Sequence, residues 1–184
     1  MKNIVLGLLV LFNLSIYGQE SEFKFTKDGL TDFVITPVNG KTQSELYKKT
    51  LGWVSYSFKE PREVIKANIE NEYIRIEGFS KDLICYSYMG KRCGDTKYEI
   101  EISFKDGKYK FDVLSISEYN NMSKSILWTN FEINNTASYF DKKGEVKSSY
   151  KFIVNTVPEY FNNLNLNLKE FLISDGIKSK KNDW

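Results

Sequence analysis

The most regular hydrophobic pattern in this chain runs from Lys97 to Ile116. Apolar residues occupy every second position on both sides of Asp106-Gly107, which predicts two half-buried strands joined by a tight hairpin turn. A two-residue turn fixes a register in which every apolar residue meets an apolar partner. The predicted pairs are Phe104 with Tyr109, Ile102 with Phe111, and Ile100 with Val113. After Val113 the alternation shifts to Leu114 and Ile116, which predicts a bulge or a twist.

Two segments have the apolar spacing of amphipathic helices. The first runs from Thr42 to about Phe58, and Pro61 stops it. The second runs from Thr156 to about Ile173. Each begins with a threonine followed three residues later by a glutamate, the pattern of a capping box, and the second ends at Asp175-Gly176.

Shorter alternating runs predict further extended segments, while Gly90–Asp95 is predicted to be a polar loop. Residues 146–154 fit either a strand or a helix, and helix is favoured because Val146, Tyr150 and Val154 lie four residues apart. The order is strands, one helix, about five antiparallel strands and a second helix. It predicts an α+β fold with both helices on one face of an antiparallel sheet. The additional predicted strands are Phe23–Phe25, Thr31–Val38, Glu63–Ile69, Glu72–Glu77, Leu83–Met89 and Ile126–Ile133.

The N-terminal segment predicts export. Lys2 precedes a short apolar run that is too brief to span a bilayer, and Gly18 suits the last position before cleavage of a signal peptide. The alternatives are a buried strand or a retained anchor. The predicted organisation is a signal peptide over residues 1–18, one domain over 19–176 and a mobile charged tail over 177–184. No later stretch predicts a transmembrane helix, so we expect a periplasmic, cell-surface or secreted protein.

Composition excludes several function classes. The chain has 184 residues, 41% of them hydrophobic, which is enough for one domain with a core. Its 26 basic and 24 acidic residues nearly balance, so nothing indicates nucleic acid as a partner. The chain contains no histidine, which excludes a histidine-based catalytic triad and the commonest zinc ligand. No phosphate-binding loop or nucleophile elbow is present, so we expect neither a metal nor a cofactor.

Cys85 and Cys93 are the two cysteines of the chain. If the flanking strands form a hairpin centred near Met89, the two residues lie opposite each other. A disulfide is then expected in an oxidising compartment. The alternative is a buried thiol at Cys85 and a free thiol at Cys93.

Charged residues define a candidate exposed sheet surface made of Glu99, Glu101 and Lys110. The two glutamates lie on one face of one strand, and Asp112 is predicted to lie across from Glu101. Paired carboxylates are able to perform acid–base catalysis. The more ordinary interpretation, which we adopt, is a solvated sheet face with Lys110 diagonal to Glu101.

Aromatic residues along the predicted sheet are either core beneath the helices or a platform for stacking a ligand. We interpret the aromatic residues on the paired apolar face as core. The pattern does not decide which face of the strand carrying Tyr86 and Tyr88 is buried. The residues in question are Tyr86, Tyr88, Tyr98, Phe104, Tyr109 and Phe111.

Three segments together resemble a known family. They are Phe33–Asn39, the helix carrying Leu46-Tyr47 and Trp53, and Glu72–Gly78. Across residues 30–115 the chain is similar to exported bacterial proteins grouped as a domain of unknown function with a TATA-box-binding-protein-like (TBP-like) fold. The resemblance implies a curved antiparallel sheet with helices on one face. It implies no activity and no functional residues, because fold does not carry function.

The sequence therefore predicts a non-enzymatic exported module that binds a protein or another ligand through its open sheet face or a groove beside it. The alternative is a carrier of a small apolar ligand held between the sheet and the C-terminal helix. A hydrolase that uses carboxylates alone is a third, weaker hypothesis.

Overall fold

The computed structural model describes residues 22–87, 90–120 and 127–174. The predicted signal peptide, the turn at Asp175-Gly176 and the C-terminal tail lie outside these ranges. Two short 3-10 helices, Ala137–Tyr139 and Ser148–Tyr150, precede the last helix. The elements in chain order are β1 (Phe33–Pro37), α1 (Gln43–Ser57), α2 (Pro61–Val64), β2 (Ile65–Ile69), β3 (Tyr73–Ser87), β4 (Lys91–Lys105), β5 (Lys108–Asn120), β6 (Leu127–Phe131) and α3 (Lys151–Ile173).

The six described strands form one antiparallel sheet in the order β1-β5-β4-β3-β2, and β6 also pairs with β5. The predicted hairpin register between β4 and β5 is confirmed, because Phe104 pairs with Tyr109 and Ile102 with Phe111. The predicted bulge is present as well. Ile100 pairs with Val113 but Glu99 pairs with Ser115, so Leu114 is the extra residue and is exposed.

β3 is one continuous strand where the sequence predicted two, and β4 begins at Lys91 where a loop was predicted. The loop was predicted because Gly90–Asp95 is polar, whereas the break in β3 has a structural cause. Ser80 pairs with Thr96 and Ile84 with Gly94, so three residues of β3 face one residue of β4. This irregularity interrupts the alternation without ending the strand.

The two cysteines lie opposite each other near the end of this long hairpin. Cys85 pairs with Cys93 in the β3–β4 register, and the two residues form a disulfide. In the chain-entropy account, so short a loop gives a stabilisation of about 2–3 kcal/mol.

α1 follows the sequence prediction closely. Its N-cap is Thr42, and the capping box with Glu45 is complete. Trp53 of this helix is fully buried. Pro61 does not simply end this helix but begins the four-residue α2, so the strand predicted from Glu63 starts only at Ile65.

α3 differs from its prediction at the N-terminus. The helix starts at Lys151, so Thr156 does not cap it and Pro158 lies inside it. The single Thr156 hydroxyl proton is instead shared between the carbonyls of Leu83 and Phe152, at 3.0 and 2.9 Å. Pro158 cannot donate to the helical carbonyl four residues earlier, so this turn depends on tertiary contacts. The expected helix over Val146–Val154 is therefore present only from Lys151.

The core lies between the helices and one face of the sheet, which we call the covered face. The buried side of α3 consists of Ile153, Val157, Phe161, Leu168 and Leu172, and all of them are inaccessible to solvent. Gly78 lies opposite Tyr98 and leaves room for its ring, which a Cβ at Gly78 would overlap. The fold is thus α+β with its helices on one face, as predicted.

Smaller elements complete the structure. Phe23 and Phe25 are buried, but Phe25 makes only an isolated bridge to Leu30 and not the predicted strand. β5 continues to Asn120. The strand predicted at Ile126–Ile133 corresponds to β6. Among the described residues, no helix has the length and apolarity needed to cross a membrane.

Candidate interaction surface on the open face of the sheet

The face of the sheet opposite the helices, which we call the open face, carries the candidate residues. Tyr98, Ile100 and Ile102 of β4 point into the core and are buried. Because side chains alternate along a strand, the residues between them lie on the open face. We use the term open-face network for five charged residues there: Arg75, Glu99, Glu101, Lys110 and Asp112.

Arg75 of β3 lies at the centre of this network. It is directly opposite Glu101 of β4, and two guanidinium nitrogens donate to the same Glu101 carboxylate oxygen at 2.8 and 3.1 Å. Its Nε also lies 3.6 Å from a carboxylate oxygen of Glu99. One cation therefore holds both predicted glutamates. The hydrogen bond to Glu101 raises the pKa of Arg75 above its ordinary value.

Lys110 and Asp112 form the second part of the network on β5. The Lys110 ammonium lies 3.0 Å from a carboxylate oxygen of Asp112 and 5.3 Å from the centre of the Phe33 ring. Burial raises the pKa of Asp112, the Lys110 ammonium partly offsets this, and the neighbouring Glu101 raises the pKa further. Asp112 pairs with Glu101 in the β4–β5 register, as predicted.

The structure places Glu99, Glu101 and Lys110 on one face, but not as an acid–base catalytic pair. Both glutamates are paired with Arg75, and Lys110 is paired with Asp112 rather than with Glu101. Within the ranges that the structure describes, no three histidine, cysteine, aspartate or glutamate side chains are arranged to hold a metal ion. The open-face network is therefore a set of charges held in place by ion pairs.

Sequence reasoning missed the central role of Arg75. Extending the Cys85–Cys93 register along the hairpin would place Glu77 opposite Glu101, a like-charge pair. The irregularity between Ser80 and Ile84 moves the register by two residues and brings Arg75 to that position. The signal was the opposite charge of Arg75 and Glu101 on two predicted strands, because opposite charges favour direct cross-strand pairing.

The aromatic residues of the sheet are mostly core. Tyr98, Phe104, Tyr109 and Phe111 are buried on the covered face, as expected. Tyr86 is partly buried and donates a hydrogen bond of 2.6 Å to Glu118. The pKa of Tyr86 is raised, mainly by burial and to a lesser extent by this hydrogen bond. Tyr88 lies outside the described residues.

Polar contacts tie α3 to elements that are distant in sequence. Asn162 bonds both the backbone N–H and the carbonyl of Phe23, and Asn167 accepts a hydrogen bond from the Trp53 indole. Asn165 donates to Thr36 and accepts from the Tyr109 hydroxyl. Buried apolar side chains and these hydrogen bonds therefore join α3 to the sheet and to the N-terminal segment at the positions described.

The surface of the described residues includes two depressions that bear on these hypotheses. One, of about 430 Å³, lies between the N-terminal segment around Phe23 and the outer side of α3. The other, of about 190 Å³, opens on the open face at the β4–β5 turn, and its lining includes Ile35 and Lys110. The second depression is therefore continuous with the open-face network.

Comparison with known proteins identifies the fold. Residues 34–119 match a protein family described as a domain of unknown function (DUF4468) with TBP-like fold. A DUF4468 family protein from Bacteroides ovatus ATCC 8483 aligns over 83% of this chain and 91% of its own, with a TM-score of 0.61 and 10% identity. A TBP-like protein from Parabacteroides distasonis ATCC 8503 aligns over 80% of this chain and 95% of its own, with a TM-score of 0.56 and 12% identity.

No curated protein sequence matches the chain. The resemblance drawn from the sequence is confirmed, and so is the TBP-like α+β fold. Identities this low show the fold alone, so the similarity assigns no activity and no partner.

Proposed function

We propose that this chain is an exported, non-enzymatic interaction module that binds a partner protein through the open face. One observation carries the proposal. The helices cover one face of the sheet, while the opposite face keeps a network of partly exposed charges beside the exposed apolar residues Phe33 and Ile35. Apolar anchors surrounded by fixed charges are what protein interfaces use for affinity and orientation.

Export is supported by two independent features. Residues 1–18 have the pattern of a signal peptide, and a disulfide joins Cys85 to Cys93. Disulfides persist mainly in oxidising compartments such as the periplasm or the cell surface. Fractionation of the native cell tests this proposal. We expect an extracytoplasmic chain whose intact mass shows cleavage near Gly18, and an uncleaved cytoplasmic chain would contradict export.

Site-specific photo-crosslinking tests the binding surface. A photoreactive residue at Ser103 samples the open face, and one at Glu170 on the exposed side of α3 is the control. We expect a crosslinked protein from Ser103 and none from Glu170. Charge reversal of Glu99, Glu101 and Lys110 should lower the Ser103 yield. Equal crosslinking from both positions would show that the open face is not the binding surface. A Ser103 crosslinking yield that charge reversal does not change would show the same.

The carrier alternative has a direct test of its own. Native mass spectrometry of the gently purified protein would show an added mass of a few hundred daltons if an apolar ligand occupied the space beneath α3. The bare mass is expected, because the side of α3 that faces the sheet is already packed.

A further inference from the structure

The β4–β5 turn concentrates positive charge at one corner of the open face. Lys105 and Lys108 flank the turn and pair directly with each other, and Lys110 follows on the same face two residues later. All three line the depression of about 190 Å³, together with Ile35 and Ser103. We call these five residues the basic corner.

Two of the three lysines of the basic corner, Lys105 and Lys108, lack a compensating acid, while Lys110 is paired with Asp112. Within the described residues, Lys105 and Lys108 form no ion pair. Asp106, the nearest acid in sequence, accepts a hydrogen bond of 2.8 Å from the backbone N–H of Gln43 at the start of α1. Like charges directly opposite each other destabilise a strand pair. The fold therefore retains an unfavourable arrangement that a bound anion would relieve.

The basic corner is also rigidly placed. Gly107 accepts a hydrogen bond from the N–H of Val38 and donates one to the carbonyl of Lys41, each at 2.8 Å. These bonds fix the turn to the connection between β1 and α1. A preformed site loses less conformational entropy when a ligand binds.

The depression suits an anchor residue better than a free small molecule. Small-molecule sites usually enclose most of their ligand, whereas this depression is lined by strand residues and opens on the sheet face. Beside it, Ile35 and Phe33 are each 42% exposed and extend the contact surface along β1. A ligand held here needs further contacts outside the depression, which a protein segment supplies.

We propose that the basic corner is the anchor point of the interaction surface and takes an acidic side chain from a segment of the partner protein that alternates acidic and aliphatic residues. The carboxylate lies among Lys105, Lys108 and Lys110, and the neighbouring aliphatic side chains contact Ile35 and Phe33. This inference rests on the proposed function, because it specifies the partner chemistry for the same face.

A short peptide of alternating glutamate and valine is the probe, and its glutamine counterpart is the uncharged control. Amide NMR spectra of the purified protein should show saturable shifts at Ile35, Lys105, Lys108 and Lys110 with the glutamate peptide only. Neutralising Lys105→Gln together with Lys108→Gln should weaken binding at least about tenfold. The double change Lys142→Gln with Lys143→Gln removes the same charge from an exposed turn and should leave binding unchanged.

The same variants carry a second readout. The double variant Lys105→Gln, Lys108→Gln removes an unfavourable cross-strand pair. The melting temperature of this variant without peptide should therefore be slightly higher than that of the wild type. Retained stability with lost binding separates recognition from a folding defect.

Several results would overturn the inference. Equal weakening by both double variants would mean non-specific attraction by net charge, and hexanoate competing as well as the peptide would mean a small-carboxylate site. Absence of saturable shifts at the basic corner at millimolar peptide would also overturn it. If crosslinking from Ser103 persists in the Lys105→Gln, Lys108→Gln variant, the open face remains the interaction surface. Only the proposal that the basic corner binds an acidic side chain is then refuted. If the peptide binds the corner but Ser103 captures no protein, the proposed function fails instead.

Discussion

The two faces of the sheet are built from the same strands but are held by different kinds of contact. On the covered face, Tyr109 and Phe111 are buried beneath α3, whose residues lie far away in the sequence. On the open face, Arg75, Glu101 and Asp112 form a row across three strands that neighbour each other in the sheet. The first face depends on the docking of a helix, and the second on cross-strand pairing alone.

The difference separates stability from recognition. Burial of large apolar side chains contributes several kcal/mol each, whereas partly exposed ion pairs contribute little. Substitutions on the covered face should therefore unfold the protein, and those on the open face should change binding with little effect on folding. The four predictions below test this division, from the largest expected change in stability to the smallest.

The largest effect is expected at Phe161, which is fully buried and packs against the rings of Phe23 and Tyr98. Phe161→Ala should lower the free energy of unfolding by about 3–5 kcal/mol, measured by denaturant titration. The matched control is Phe79→Ala on the open face, where the ring is 50% exposed, and it should change stability by less than about 0.5 kcal/mol. Similar losses for the two variants would refute the division between the faces.

A smaller effect is expected at Asn165, which links α3 to β1 and β5. Asn165→Ala removes the bonds of its side chain to the Thr36 and Tyr109 hydroxyls, both within the core. We expect a loss of about 1–3 kcal/mol, because the buried Thr36 hydroxyl loses the Asn165 amide and the Tyr109 hydroxyl keeps only the Asn165 backbone carbonyl of its two Asn165 acceptors. Replacing asparagine by alanine also raises helix propensity. Asn163→Ala, on the exposed side of the same helix, measures this gain, which is then subtracted from the effect of Asn165→Ala. If the two variants unfold at the same denaturant concentration, these bonds do not hold α3.

A small effect is expected at Glu101. Glu101→Gln removes the charge from the closest partner of Arg75, while Glu99 remains 3.6 Å from the guanidinium. The melting temperature of Glu101→Gln should fall by only a small fraction of the decrease caused by Phe161→Ala. This decrease should become smaller as salt screens the charges. A loss as large as that of the core variant, or one independent of salt, would show that the open-face network is structural.

The smallest effect concerns the pH dependence contributed by Asp112. Its folded pKa is raised above the ordinary 3.8, mainly by burial, so ionisation is less favourable in the folded than in the unfolded protein. This unfavourable contribution is absent below pH 3.8 and complete above the folded pKa, so stability falls as pH rises through that window. Denaturant titrations at several pH values should show that the free energy of unfolding of the wild type falls relative to that of Asp112→Asn as the pH rises between these limits. A change in the opposite direction would mean that Lys110 outweighs burial.

Local patterns predicted the parts of the structure that depend on near neighbours. The capping box at Thr42 positioned α1. Asp106-Gly107 fixed the hairpin register, because the turn is short and the apolar alternation continues on both sides. Glu99, Glu101 and Lys110 lie on one face for the same reason. The start of α3 was missed because the local capping pattern at Thr156 competes with a tertiary contact, the hydrogen bond from Thr156 to Leu83.

By itself, the sequence determined the strand faces, the first helix, the central hairpin and the resemblance to a TBP-like family. Only the tertiary structure decided that Arg75, and not Glu77, lies opposite Glu101. The physical reason is the two-residue period of a strand. A register shift of two residues leaves every side chain on the same face, so the hydrophobic pattern is identical before and after it. Only the irregularity between Ser80 and Ile84, formed when β3 and β4 pair in the folded protein, selects one of the two registers.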